Sequence, residues 1–160
     1  MNSLSLQPDW LLTESGWRSQ WQIDVQDGLI TGLGPARSGA QVLSNQALVP
    51  GFVNSHSHAF QRTIRGRTEF RHPDRPSDDF WSWRELMYQA AMKLDPDQLE
   101  RVARLLYLEM AEAGITTVGE FHYLHHQPDG IRYADPDELA LRLKAAADWA
   151  GINMVLLRCA

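Results

Sequence analysis

An echo within the chain limits its fold more than any other feature. Asp95-Pro96-Asp97-Gln98-Leu99 opens a segment that closes at Ala113-Gly114-Ile115 and runs into Thr116-Thr117-Val118-Gly119-Glu120-Phe121. Asp135-Pro136-Asp137-Glu138-Leu139 opens a second, which closes at Ala150-Gly151-Ile152 and runs into Asn153-Met154-Val155-Leu156-Leu157. Asp at the N-cap, Pro at the first helical position and Gln or Glu in capping-box position together signal a helix start. Gly after the last turn supplies the left-handed residue that stops one. Between these signals Leu99, Val102, Ala103, Leu106, Met110 and Ala113 fall on one helical face, and Leu139, Leu143, Ala146, Ala147 and Ala150 on another. The pattern predicts helices over 96–113 and 136–150, each feeding an apolar strand, over 116–121 and 153–157. Repeated, that is the unit of a parallel sheet covered by helices.

A third strand, expected over 49–53 and parallel to these two, leads into His56-Ser57-His58. Side chains alternate along a strand, so His56 and His58 project to one side while Ser55 and Ser57 point away. Neutral imidazole is a standard zinc ligand, and two imidazoles on one strand end form half of a tetrahedral shell. Two polar residues capping a strand would give the same spacing. The placement favours the metal, because the C-terminal ends of barrel strands carry the chemistry of a (β/α)8 fold.

Three shorter stretches complete the pass along the chain. Trp10-Leu11-Leu12, then Trp21, Ile23 and Val25 alternating with Gln22 and Asp24, then Leu29-Ile30 read as short strands, with Asp27-Gly28 as a tight hairpin turn. Trp10, Trp17 and Trp21 are read as sheet packing rather than a ligand platform. The mixed charges of 62–80 read as a solvated loop in the position where a barrel carries a lid, and a helix is expected around 83–92.

Composition sets outer limits. A chain of 160 residues, 44% apolar and 22% charged, suits one globular domain, yet a (β/α)8 barrel takes roughly 250 residues. The chain is therefore expected to be the N-terminal portion of a larger enzyme. Its net charge of −5, with Lys and Arg scattered, points away from nucleic acid. A single cysteine, Cys159, fits a reducing compartment. No secretory signal and no membrane-length apolar run is read, so a cytoplasmic location is expected.

The segment Pro50-Gly51-Phe52-Val53-Asn54-Ser55-His56-Ser57-His58 resembles the first barrel strand of the amidohydrolase superfamily. Ser57-His58-Ala59-Phe60-Gln61-Arg62, Phe80-Trp81-Ser82-Trp83-Arg84-Glu85-Leu86-Met87-Tyr88 and Glu120-Phe121-His122-Tyr123-Leu124-His125-His126 resemble the formimidoylglutamate deiminases of histidine degradation within it. The resemblance covers residues 48–157. It implies an α/β fold: residues 49–160 as the first βα units of an incomplete metal-dependent TIM barrel, with about three strands, and residues 1–48 as part of a small β-sandwich domain. It also implies one zinc ion per active site, a homo-oligomeric full-length enzyme, and a small-molecule substrate, N-formimidoyl-L-glutamate, hydrolysed to N-formyl-L-glutamate and ammonia. His56 and His58 are then the metal ligands, and Gln61, Arg84 and Tyr123 the substrate contacts. The general base and remaining ligands are expected beyond residue 160, which leaves no catalytic residue within the chain and its own activity in doubt.

Side-chain chemistry bears on some of these roles. A guanidinium presents paired donors that match a carboxylate, as an amino-acid derivative requires, although Arg84 would equally serve as a salt-bridge partner of Glu85. Tyr123 has barrel-rim packing as its plainer role. His122, His125 and His126 cluster at the same face, but their spacing leaves the strand. Two other readings stay open: another amidohydrolase deaminase or imidazolonepropionase-like hydrolase, which would not need Arg84 and Tyr123, and a truncated product without catalysis.

Overall fold

The structure, a computed structural model, describes residues 3–69 and 79–159. The chain divides into two compact units, Met1–Pro50 and Gly51–Ala160. The first is a five-stranded sheet of β1 (Ser3–Thr13), β2 (Gly16–Arg18), β3 (Trp21–Gln26), β4 (Leu29–Pro35) and β5 (Gln41–Leu48). Strands β2, β1, β3 and β4 run side by side and antiparallel, while β5 joins β1 in parallel. Asp27 and Gly28 lie at φ 49° and 82° between paired Gln26 and Leu29, the two positive angles of a type I′ hairpin. Strand β1 begins at Ser3, well before its apolar stretch, because its ladder to β3 pairs backbone from Ser3↔Gln26 to Leu6↔Ile23. Strands β2 and β5 lie outside the expected set. Trp10 and Trp17, on paired strands, are each half exposed.

The second unit holds β6 (Phe52–Ser57), a 3-10 helix (Ala59–Ile64), α1 (Phe80–Ala91), α2 (Pro96–Glu112), β7 (Ile115–His122), α3 (Glu138–Ala150) and β8 (Asn153–Arg158). Strands β6, β7 and β8 form one parallel sheet in that order. The first of them starts three residues later than the sequence suggests. Leu48 ends β5, Pro50 has no N–H for a ladder, and pairing begins where the Phe52 amide donates to Gly114 O at 2.9 Å.

Between Asn54↔Val118 and Ser57↔Glu120, β6 advances three residues against two in β7, so the strand carries an extra residue beside the histidines. Gly119 lies opposite this irregularity, where a Cβ would come within 2.9 Å of Ser55 O. The backbones approach too closely for any larger residue.

Helices α2 and α3 pack on each other through Leu99, Ala103, Tyr107, Met110, Leu139, Leu143, Ala146 and Ala147, all buried with Val118 and Ile152. Tyr107 is fully buried on the predicted face, whereas Ala113 lies past the end of α2 and is exposed. The opposite sheet face carries Val53, Val155 and Leu157, all exposed, in register with Thr117, Gly119 and Phe121. In a closed (β/α)8 barrel that face is the interior.

The helix starts differ from one another for identifiable reasons. At α2 the capping box forms as read: the Gln98 amide donates to Asp95 Oδ1 at 2.7 Å and the Asp95 amide to Gln98 Oε1 at 3.2 Å. At α3 it does not, and the helix starts at Glu138. There Asp135 Oδ1 accepts the Asp137 amide at 2.8 Å in a local turn, and Glu138 is held by Arg142 Nε at 2.9 Å. Helix α1 starts three residues earlier than expected, because Asp79 caps it through the amides of Trp81 and Ser82.

Within 62–80, Arg62 is not a solvated loop residue. Its Nε and Nη2 donate to Glu109 of α2 at 2.9 and 2.6 Å, tying the 3-10 helix to the outer layer. Arg71, Asp74, Arg75 and Asp78 lie outside the described residues. Among the described residues no helix is long and apolar enough to cross a membrane.

Candidate metal and substrate site

Strand β6 delivers His56 and His58 to the end of the open sheet face, and the extra residue in β6 aims them at each other. Their Nε2 atoms lie 3.0 Å apart. His58 Nδ1 lies 2.8 Å from Phe121 O. A carbonyl only accepts, so Nδ1 carries the proton and Nε2 of neutral His58 presents its lone pair. The Phe121 ring stacks on His56 with centroids 4.3 Å apart, so β7 orients both imidazoles.

Nitrogens about 2.1 Å from one tetrahedral zinc ion lie about 3.4 Å apart. The observed spacing is close to that, and the tautomer of His58 is the ligating one, so the pair fits a divalent cation. Among the described residues no group of three or more His, Cys, Asp or Glu could hold a metal ion. The pair thus offers two candidate ligands, and not a full shell, among the described residues.

Gln61 and Tyr123 meet beside this pair. Gln61 Nε2 donates to the Tyr123 hydroxyl at 3.1 Å, and the Tyr123 ring stands edge-on to His58 with centroids 4.9 Å apart. Both polar groups touch Met87 Sδ of α1, Gln61 Nε2 at 3.3 Å and the Tyr123 hydroxyl at 3.6 Å. Burial pushes the Tyr123 phenol up, and the Gln61 bond draws it partly back.

Arg84 lies one turn before Tyr88 on α1, and its Nε and Nη2 both donate to the Tyr88 hydroxyl, at 3.1 and 2.9 Å. Its guanidinium also lies over Trp81 and Tyr88, 5.6 and 5.2 Å from the ring centroids. Glu85 is not its partner; that carboxylate accepts from Gln89 Nε2 at 3.2 Å. Among the described residues Arg84 has no ion pair.

The structure does not bring His122, His125 or His126 to His56 and His58. His122 is buried, 4% exposed, with its ring edge-on to His125 at 5.0 Å, and His125 Nε2 bonds Cys159 O at 2.7 Å. Burial, then the nearby His125 and Arg158 charges, pushes the His122 pKa from 6.5 down to about 4. Between pH 6.5 and 4 the unfolded chain therefore takes up a proton that the folded chain refuses, so stability falls with pH across that window. The loss should reach about 3 kcal/mol near pH 4. Urea unfolding from pH 7.5 to 4.5 should show a smaller loss in His122→Phe than in the parent. Parallel pH profiles would mean that another group governs the window.

Sequence reasoning missed Glu120 and Tyr107. Glu120 is 2% exposed, and its Oε1 accepts the Ala59 amide at 2.6 Å. Burial pushes its carboxyl up, while the Ala59 amide, the side chains of Ser57 and Tyr107 and the His58 ring draw it back. Glu120 Oε2 and the Tyr107 hydroxyl are buried without a hydrogen-bond partner, and burial beside Glu120 pushes the phenol up. The available signal was a charged residue inside the apolar run Thr117-Val118-Gly119-Glu120-Phe121, a placement that is costly without a task.

Comparison with known proteins places these features among relatives. A model of the amidohydrolase family matches residues 47–160. Formimidoylglutamate deiminase of Pseudomonas aeruginosa is 46% identical over 149 residues, covering 91% of this chain and 32% of that protein. The crystal structure of an amidohydrolase from Brucella melitensis superposes with a TM-score of 0.87 at 42% identity, covering 96% of this chain and 34% of that one. Atrazine chlorohydrolase of Arthrobacter aurescens, crystallised with zinc, has a TM-score of 0.75 at 22% identity and covers 97% of this chain and 35% of that one. The chain thus spans about a third of the length of the proteins it matches.

Proposed function

Because the chain belongs to the amidohydrolase family, we propose that it carries the first metal pair and part of the substrate pocket of a zinc-dependent N-formimidoyl-L-glutamate deiminase. The observation that carries this reading is the joint placement of Gln61 and Tyr123 against His58, with Arg84 one helical turn from Tyr88, in a chain 46% identical to a formimidoylglutamate deiminase. The reaction adds water across the formimino carbon and releases ammonia, leaving N-formyl-L-glutamate. A bound zinc ion would supply Lewis acidity that makes water nucleophilic near neutral pH.

The chain's own residues bind and orient. His56 and His58 converge through Nε2 on a rigid strand end. With His58 protonated on Nδ1, His56 Nε2 donates to His58 Nε2 in the metal-free chain and would give up that proton to bind a cation. Arg84, held by the Tyr88 hydroxyl and close to the Trp81 ring, offers a guanidinium to a glutamate carboxylate. The Gln61 amide and Tyr123 hydroxyl, linked to each other, offer neutral donors and acceptors beside the reacting end. On the same resemblance the enzyme is proposed to serve histidine degradation, and the single cysteine fits a reducing, cytoplasmic setting for it.

A chimaera in which this chain replaces the matching segment of the P. aeruginosa deiminase provides the test. It should release ammonia from N-formimidoyl-L-glutamate and leave guanine and imidazolone propionate untouched. A folded, zinc-loaded chimaera that prefers either of the other two substrates overturns the substrate assignment.

A further inference from the structure

We propose that Glu120 is a positioning residue for the His56–His58 pair: by accepting the Ala59 amide it fixes the bend that aims His58 at His56 and so sets the pair's affinity for a divalent cation. This rests on the reading of the two histidines as metal ligands.

His58 is where the chain leaves β6 and enters the 3-10 helix, at φ −135° and ψ 89°, and its own side chain does not cap that helix. Two neighbouring residues of β7 restrain it instead. Phe121 O takes its ring Nδ1 proton at 2.8 Å, and Glu120 Oε1 takes the following amide at 2.6 Å. The first bond sets the ring's tautomer and tilt, and the second sets the backbone from which the ring projects. With one removed, the other no longer fixes the direction of Nε2.

Glu120 is not itself a ligand. It is opposite Ser57 in the ladder, on the sheet side away from the imidazoles and towards Tyr107 of α2, and it joins no group able to hold a metal. Nor is it paired with a Lys or Arg among the described residues: its polar neighbours are the Ala59 amide, Ser57, Tyr107 and His58. Of the groups around this carboxylate, the Ala59 amide is the one joined to the metal pair, one residue after a candidate ligand.

Acceptor position and charge separate in two conservative substitutions of the chain. Glu120→Gln removes the charge and keeps an oxygen at Oε1; Glu120→Asp keeps the charge and withdraws the oxygen by one methylene. With the substitutions carried in the chimaera, zinc affinity, read by competition with a chelator and by NMR of the His56 and His58 rings, should be at parent level in Glu120→Gln. In Glu120→Asp it should weaken about tenfold, as expected when a group that orients a ligand is lost. Far-ultraviolet circular dichroism of the metal-free variants serves as the structural control and should match the parent's, although Glu120→Asp, which leaves the buried Ala59 amide without its acceptor, melts lower.

A second readout needs no metal. The His58 Nδ1–H signal and the contact between the His56 and His58 rings should persist in Glu120→Gln and fade in Glu120→Asp. Parent-like zinc binding and ring signals in Glu120→Asp, or an equal loss of both in Glu120→Gln, would overturn the proposal. A parent chimaera that keeps the ring contact but takes up no zinc would instead sink the metal reading, with the ring signals still deciding the role of Glu120.

Discussion

Replacing His56 or His58 with Ala in the chimaera is expected to abolish zinc retention and turnover together. The two Nε2 atoms lie 3.0 Å apart at one site, so neither ligand can be lost without opening the shell that both share. Metal binding also requires the Nε2 lone pair, which His58 presents because Phe121 O holds the Nδ1 proton. Zinc content after dialysis against a chelator, measured beside ammonia release, checks both losses. A variant that keeps its zinc through dialysis would show that the pair does not hold the metal. In the 160-residue chain alone, two imidazoles leave half the shell to water, and binding should be weak.

Arg84→Lys is expected to lower kcat/KM for N-formimidoyl-L-glutamate about tenfold to hundredfold. An ammonium cannot reproduce the paired hydrogen bonds of a guanidinium, and a lost charge-assisted bond costs roughly 1.5–3 kcal/mol. In the structure the Nε–Nη2 edge donates to the Tyr88 hydroxyl from two nitrogens, with the Trp81 and Tyr88 ring centroids 5.6 and 5.2 Å from the guanidinium carbon, so the group is already oriented. Zinc content should not change, which separates a binding defect from a collapsed site. Parent-like turnover by Arg84→Lys would reduce Arg84 to a surface partner of Tyr88.

The parts of the fold legible in the sequence were those governed by local chemistry. The capping box at Asp95, the left-handed Gly151 at φ 72°, and the Asp27-Gly28 hairpin each depend on a few adjacent residues, and each forms as read. The same motif failed at Asp135 because distant and neighbouring cations compete for its carboxylates: Arg142 takes Glu138, and Arg158 Nη1 takes Asp137 at 2.5 Å. Strand β5 was invisible for a related reason. Gln41–Leu48 has little apolar alternation, and only its partner β1 makes it a strand.

The site divides along the same line. The spacing of His56 and His58 announces convergence because a strand's period is fixed, and the two rings do converge. The extra residue in β6 that completes their aim depends on register with β7 and leaves no mark in β6 itself. Glu120 was overlooked because its task concerns a backbone amide 61 positions away, whereas sequence patterns advertise side chains.

Zinc-edge anomalous diffraction from crystals of the chimaera tests the central claim most directly. The account predicts a peak within ligand distance of both His56 Nε2 and His58 Nε2, with His58 Nδ1 still bonded to Phe121 O. A zinc peak elsewhere, with the two imidazoles sharing a proton instead of a cation, would contradict it.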